Sequence, residues 1–280
     1  MNHARTLAAM VALLLVSTAA QAQAIPARFR WQTSQVLTYR VEQVTTETEI
    51  VGGTKVESSL KLNHVKRWQV LAVDAADVAT VQQSLSALRI ERKTGTGATV
   101  VFDSADLEKS DPQMREQLSK YVGKPLATLR IDSFGKVIEV TKCEFVPPSR
   151  YENELPFGIT LPAEGIAPGG VWRRQYAVTL DPPLGTGEKY PAWQEYQCKG
   201  INGGLVTVAF KTNLNSMPDD KGDQAKVLQF LPEGEVLFDV QACCLRRARL
   251  NVNREMKGHQ GDDSSYRIES NYVEEYVGND

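Results

Sequence analysis

Leu37-Thr38-Tyr39-Arg40-Val41-Glu42 is the stretch on which the fold turns. Apolar Leu37, Tyr39 and Val41 alternate with polar Thr38, Arg40 and Glu42, the period-two pattern of a strand with one buried face. The same period returns downstream. In residues 55–73, Val56, Leu60, Leu62, Trp68 and Val70 share one parity, and a run of this length predicts a bend or bulge near Lys66 and Arg67. After a turn at residues 75–77, residues 78–92 read as the returning strand and residues 99–102 as a shorter one.

One helix is marked near residues 111–122. Ser110 or Asp111 can cap it, Pro112 suits its first turn, Met114, Leu118 and Val122 lie on one face, and Gly123 can end it. A hairpin follows, with Asp132-Ser133-Phe134-Gly135 as its turn. Residues 143–170 break the pattern. Their five prolines, with Gly169 and Gly170, predict a connection running across the surface.

Strand patterns then resume in a familiar order. Tyr39-Arg40-Val41, Trp68-Gln69, Val78-Ala79-Thr80-Val81, the helix and an Ile131-Asp132 hairpin make up the first series. They are answered by Tyr176-Ala177-Val178, Trp193-Gln194, Leu205-Val206-Thr207-Val208, a short helix around residues 224–231 and a Phe238-Asp239 hairpin. The order reads as a diverged duplication, with residues 25–142 as one β half, 143–170 as the connection and 171–280 as the second half. Two unrelated meanders of hairpins would also align this loosely. The expected fold is mainly β: a large curved antiparallel sheet, half-barrel-like or built of two similar halves, with one or two short helices.

The first residues carry a different message. Arg5, the apolar run from Leu7 to Val16 and two overlapping Ala-Gln-Ala sites predict a secretory signal peptide over residues 1–22, with cleavage after Ala22 or Ala24. The apolar run is about half the roughly 20 residues needed to span a bilayer, and no later run is longer. The expected destination is the periplasm or the extracellular space. The net charge of −2 becomes −3 once Arg5 leaves with the leader, which gives no electrostatic footprint for nucleic acid.

Four cysteines remain after the leader, at positions 143, 198, 243 and 244. In an oxidising compartment Cys198 could bridge to Cys243 or Cys244; free buried thiols are the alternative. No CxxC pair is present to suggest zinc. Past the leader only His64 and His259 remain, in no metal-ligand spacing, and there is no GxSxG elbow. Gly185-Thr186-Gly187-Glu188-Lys189 lacks phosphate-loop spacing and reads as a hairpin loop, and the Asp219-Asp220 and Asp262-Asp263 clusters read as solvated turns. These absences lead us to expect a non-catalytic protein with no cofactor and no metal.

Leu161-Pro162 leading to Gly169-Gly170-Val171-Trp172, and the Gly234-Glu235-Val236-Leu237-Phe238-Asp239 hairpin, resemble motifs of uncharacterised exported bacterial β proteins. In place of that family's turn glycine this chain has Ala242-Cys243-Cys244. In architecture the chain is also similar to periplasmic lipoprotein carriers, whose curved sheet and helices enclose an apolar groove. Two functional expectations follow. A carrier of a lipid or other apolar ligand would have an open pocket lined by residues such as Trp68, Trp193, Tyr266 and Tyr272. A structural or interaction module of the cell envelope would have a filled core and would meet an envelope protein at a sheet edge.

Overall fold

The computed structural model describes residues 24–278; the expected signal peptide at 1–22 lies outside them. Twelve strands form one antiparallel sheet: β1 (Val36–Val51), β2 (Thr54–Val73), β3 (Ala79–Thr94), β4 (Val100–Asp103), β5 (Pro125–Ile131) and β6 (Val137–Cys143), then β7 (Val171–Leu180), β8 (Glu188–Asn202), β9 (Leu205–Leu214), β10 (Glu233–Asp239), β11 (Cys244–Lys257) and β12 (Ser265–Gly278). The path across the sheet is β6-β5-β3-β2-β1-β12-β11-β10-β9-β8-β7, with β4 beside the far end of β3. The two halves of the chain thus share one sheet. They are sewn together by the first and last strands, from Thr38 opposite Gly278 to Ile50 opposite Ser265.

Alternation decides which side chains fill the interior. Leu37, Tyr39 and Val41 of β1 are buried while Arg40 and Glu42 are exposed or nearly so, and Val206, Val208 and Phe210 of β9 follow the same rule. The sheet is strongly curved. Trp68 on β2 and Phe238 on β10 lie four strands apart along it, yet two rings bridge them: Phe157 lies 4.9 Å from Trp68, and Phe29 lies 5.5 Å from Phe157 and 5.2 Å from Phe238.

Two short helices sit at corresponding places in the halves, α1 (Pro112–Leu118) and α2 (Lys221–Val227). Asp111 caps the first by accepting from the Met114 N–H at 3.0 Å, and Asp220 caps the second by accepting from the Asp223 N–H at 2.8 Å. The Asp220 cap starts the second helix three residues before the expected position. Each runs into a single 3-10 turn, at Ser119–Tyr121 and Leu228–Phe230.

The hairpin turns also correspond. Asp132 Oδ1 accepts from the N–H groups of Phe134 and Lys136, and Asp239 Oδ1 from those of Gln241 and Ala242. Gly135 takes φ 85°, and a Cβ there would come within 2.6 Å of the Phe29 ring and 2.7 Å of the Ile159 carbonyl oxygen. Cys243, in the other turn, takes φ 54° without being glycine.

The stretch 143–170 departs from the sequence expectation. It crosses from one edge of the sheet, β6, to the other, β7, through the hollow of the curve instead of over the surface. Tyr151, Phe157, Ile159, Leu161 and Ile166 are buried. The reason lies in the apolar residues between its prolines, which meet both halves of the concave face. We call this segment the strap. Trp172 Nε1 donates to the Thr160 carbonyl at 2.7 Å and Tyr196 Oη to the Gly158 carbonyl at 3.2 Å, while the Leu161 N–H donates to the Phe134 carbonyl at 2.8 Å. The segment before β1 reinforces it, because Ile25 and Ile166 exchange two backbone hydrogen bonds at 2.8 Å.

The cysteine bridge is corrected by the register. All four thiols are free. Cys198 lies level with Val208, then Val236, then Ala248 across β9, β10 and β11, and Cys244 is four residues farther along β11. Three strand spacings amount to about 14 Å at ~4.8 Å each, whereas a disulfide needs Cα atoms within about 7 Å. The irregularity expected near Lys66 and Arg67 is present: Val65 faces Ala87 and Lys66 faces Leu85, leaving Ser86 of β3 as an extra residue.

Candidate functional site: a cavity above a buried charge cluster

The concave face has a packed end and an open end, and successive inward residues of each strand pass from one to the other. On β2 the inward side chains run Val70, Trp68, Lys66, His64, Leu62; the first two are buried in the core and the last two line a cavity of about 550 Å3. On β11, Ala248 belongs to the packed end while Leu250 and Val252 border the cavity. Leu85 and Leu88 of β3 both reach the cavity despite differing in parity, because the extra Ser86 shifts the phase between them. Tyr121 and Gln229 from the two 3-10 turns stand at its rim, and Phe145, Tyr151 and Leu155 of the strap close one side. The lining is mainly aliphatic and aromatic, as ligand sites are.

At the boundary between the two ends lies a cluster of charges. Lys66 is 1% exposed, and its ammonium donates to Glu154 Oε1 at 2.8 Å, to the Leu155 carbonyl at 2.8 Å and to Glu274 Oε2 at 2.9 Å. A fully buried Lys and Glu are tolerated only because each satisfies the other. Tyr272 adds a short hydrogen bond from its hydroxyl to Glu274 Oε2, while Glu274 Oε1 has no partner. Burial pushes the Glu274 carboxyl above the usual range, and Lys66 and Tyr272 offset only part of that. Burial would do the same to Glu154, but Lys66 and Arg150 outweigh it and hold this carboxyl low. For Lys66, burial disfavours the charge, yet the two carboxylates raise its pKa.

His64 lies in the cavity wall two residues from Lys66. Burial first and the Lys66 charge second lower its pKa to about 4, so the ring is neutral at pH 7. Its Nδ1 has no hydrogen-bond partner. On the two strands beside it, Gln43 Nε2 donates to Ser270 Oγ at 3.2 Å, and Thr45 Oγ1 lies 2.8 Å from the same oxygen.

The four aromatic candidates fall in four different places. Tyr272 lines the cavity. Trp68 is fully buried against Phe157 at the packed end. Tyr266 packs beside Leu228, Leu231, Val252 and Ile268, and its hydroxyl donates to Glu47 at 3.2 Å. Trp193 points away from the concave face, because its neighbours Ala192 and Gln194 are the buried ones, and Arg173 stacks over its ring at 4.5 Å. The Trp-Gln pairs of the two halves are therefore out of phase by one residue. Gln69 and Trp193 face out where Trp68 and Gln194 face in.

The charged residues of the site are absent from the aromatic reading. Their signal is parity: Lys66 shares a face with Leu62, Trp68 and Val70, and Glu274 shares one with Ile268, Tyr272 and Tyr276. A single charge on an otherwise apolar face is the pattern that marks them. Among the described residues no group of three or more His, Cys, Asp or Glu side chains is placed to hold a metal ion. No helix among them is long and apolar enough to cross a membrane.

No protein-family model and no curated protein matches the chain. Among solved structures, the chain is similar to one described as lipid-protein interactions in lipovitellin, at 11% identity and a TM-score of 0.48, over 90% of this chain and 26% of that one. It therefore spans about a quarter of the length of that relative. Another similar structure is the MucA/MucB complex of Pseudomonas aeruginosa, at 12% identity and a TM-score of 0.14, over 84% of this chain and 88% of that one.

Proposed function

We propose that the protein is an exported, non-catalytic carrier that holds an apolar ligand in the open end of its curved sheet. The observation behind this reading is the cavity of about 550 Å3 with its largely apolar lining. A volume of that size falls within the usual range for small-molecule sites. Strands from both halves, the strap and both 3-10 turns contribute to its wall, so the fold leaves open a space that its packed end shows it is able to fill. Delivery to the periplasm or the extracellular space is part of the proposal and rests on the leader pattern.

The test is native mass spectrometry of the protein purified from its own secretory route, followed by organic extraction. A stoichiometric apolar molecule supports the carrier; a clean apo mass in every preparation counts against it. A second reading, an interaction module of the cell envelope, draws on the two sheet edges. Strands β6 and β7 end the sheet path and carry Ile138 and Val171 at 50% and 55% exposure, a surface suited to strand addition. Replacing Val171 with Lys would weaken a partner docked there and leave a ligand in the cavity unaffected.

A further inference from the structure

We infer that the cavity takes a single-chain amphiphile with an anionic head, the chain lying among the leucines and the head meeting Arg150 and His64. This rests on the carrier reading and goes beyond it by naming the ligand class. Size sets the first limit. A cavity of about 550 Å3 falls in the range of sites that take one small-molecule ligand, which suits one long alkyl chain better than the two of a phospholipid. Leu62, Leu85, Leu88, Leu126 and Leu250 offer such a chain a continuous aliphatic bed.

Charge sets the second limit. Lys66 is fully engaged by Glu154, Glu274 and the Leu155 carbonyl, so its ammonium has no hydrogen left for a ligand. Arg150, on the strap, also lines the cavity. It is an exposed residue, and among the described residues no hydrogen bond or ion pair engages its guanidinium. It is near enough to Glu154 and His64 to influence both. A guanidinium with open donors at the edge of an apolar space is suited to a carboxylate or phosphate head. His64 also lines the cavity, and its neutral ring can offer one N–H to the same head without adding charge.

Three probes on the mature protein test this by competition with an environment-sensitive fluorophore: hexadecanoate, hexadecanol of equal chain length, and vesicles of a diacyl phosphatidylglycerol. The expected order is hexadecanoate about tenfold tighter than hexadecanol, a preference that Arg150→Gln removes by weakening the acid alone. Raised salt should narrow the gap. Equal binding of acid and alcohol, unchanged by Arg150→Gln, would overturn the anionic head while leaving the apolar cavity standing. Stoichiometric extraction of the diacyl lipid in preference to both would overturn the single chain. Failure of all three probes, with the fold intact by circular dichroism, would reject the carrier reading itself.

Discussion

The packed and open ends of the concave face are built from the same strands and the same alternation, yet one is a core and the other a cavity. At the packed end Phe29, Trp68, Phe157 and Phe238 meet ring to ring, and the strap lies across them. At the open end the strap closes only one side, and Leu62, Leu85, Leu88, Leu126 and Leu250 face the cavity beside polar residues such as Gln43 and His64. What separates the two is placement of the strap, with Lys66, Glu154 and Glu274 as the fastening. Whether a curved sheet stores a ligand or only stabilises itself is thus decided by what crosses its hollow.

The largest expected effect is at the packed end. Phe157→Ala removes the ring that both Trp68 and Phe29 touch and should cost about 3–5 kcal/mol in denaturant unfolding. A cost below about 1 kcal/mol would mean that this end is not a rigid core. At the fastening, Lys66→Met leaves the buried Glu274 and the half-buried Glu154 without their cation and should also cost about 3 kcal/mol or more at neutral pH. A milder cost in acid, where the carboxyls can take protons, would confirm that uncompensated charge is the cause.

Acid should act through the open end as well. The His64 pKa is depressed to about 4 in the folded protein against 6.5 for the free group, so the unfolded chain binds more protons between those values. The stability from this residue is complete above pH 6.5 and is lost as pH falls towards 4, by about 3 kcal/mol in all at 1.36 kcal/mol per unit. Unfolding midpoints of the wild type and His64→Gln, compared from pH 7 to 4, check this: the variant should lack that part of the slope. Leu62→Ala, in the wall of a space already open, should cost only about 1 kcal/mol because it creates little new cavity, and it should loosen ligand binding more than it loosens the fold. Trp193→Ala is the smallest case. The ring lies on the outer face under Arg173, so a change within about 1 kcal/mol and unaltered ligand occupancy are expected.

This contrast also explains what could be read in advance. Strand positions, the cap of the first helix and the bulge near Lys66 are local matters of parity and capping, and they were legible. The depth of a residue along the hollow is not local. Parity puts Trp68 and Leu62 on one face, but only the path of the strap decides that Trp68 is covered and Leu62 is open. The strap itself was misread because its prolines argue against a sheet strand without saying which side of the sheet the chain will cross. Trp193 was misread by a one-residue slip, which is enough to turn every side chain of a strand to the opposite face. Lys66 and Glu274 each looked like ordinary charges until β1 brought β2 and β12 to its two sides.

The pairing of β1 with β12 carries a consequence in time. Tyr39 lies opposite Tyr276, nearly the whole chain away, so a ribosome or a translocation pore that releases the N-terminus first delivers the partner of the first strand last. Contacts so distant in sequence form slowly. The central seam of the sheet, and with it the Lys66–Glu274 contact, is therefore made only once β12 is available to pair with β1.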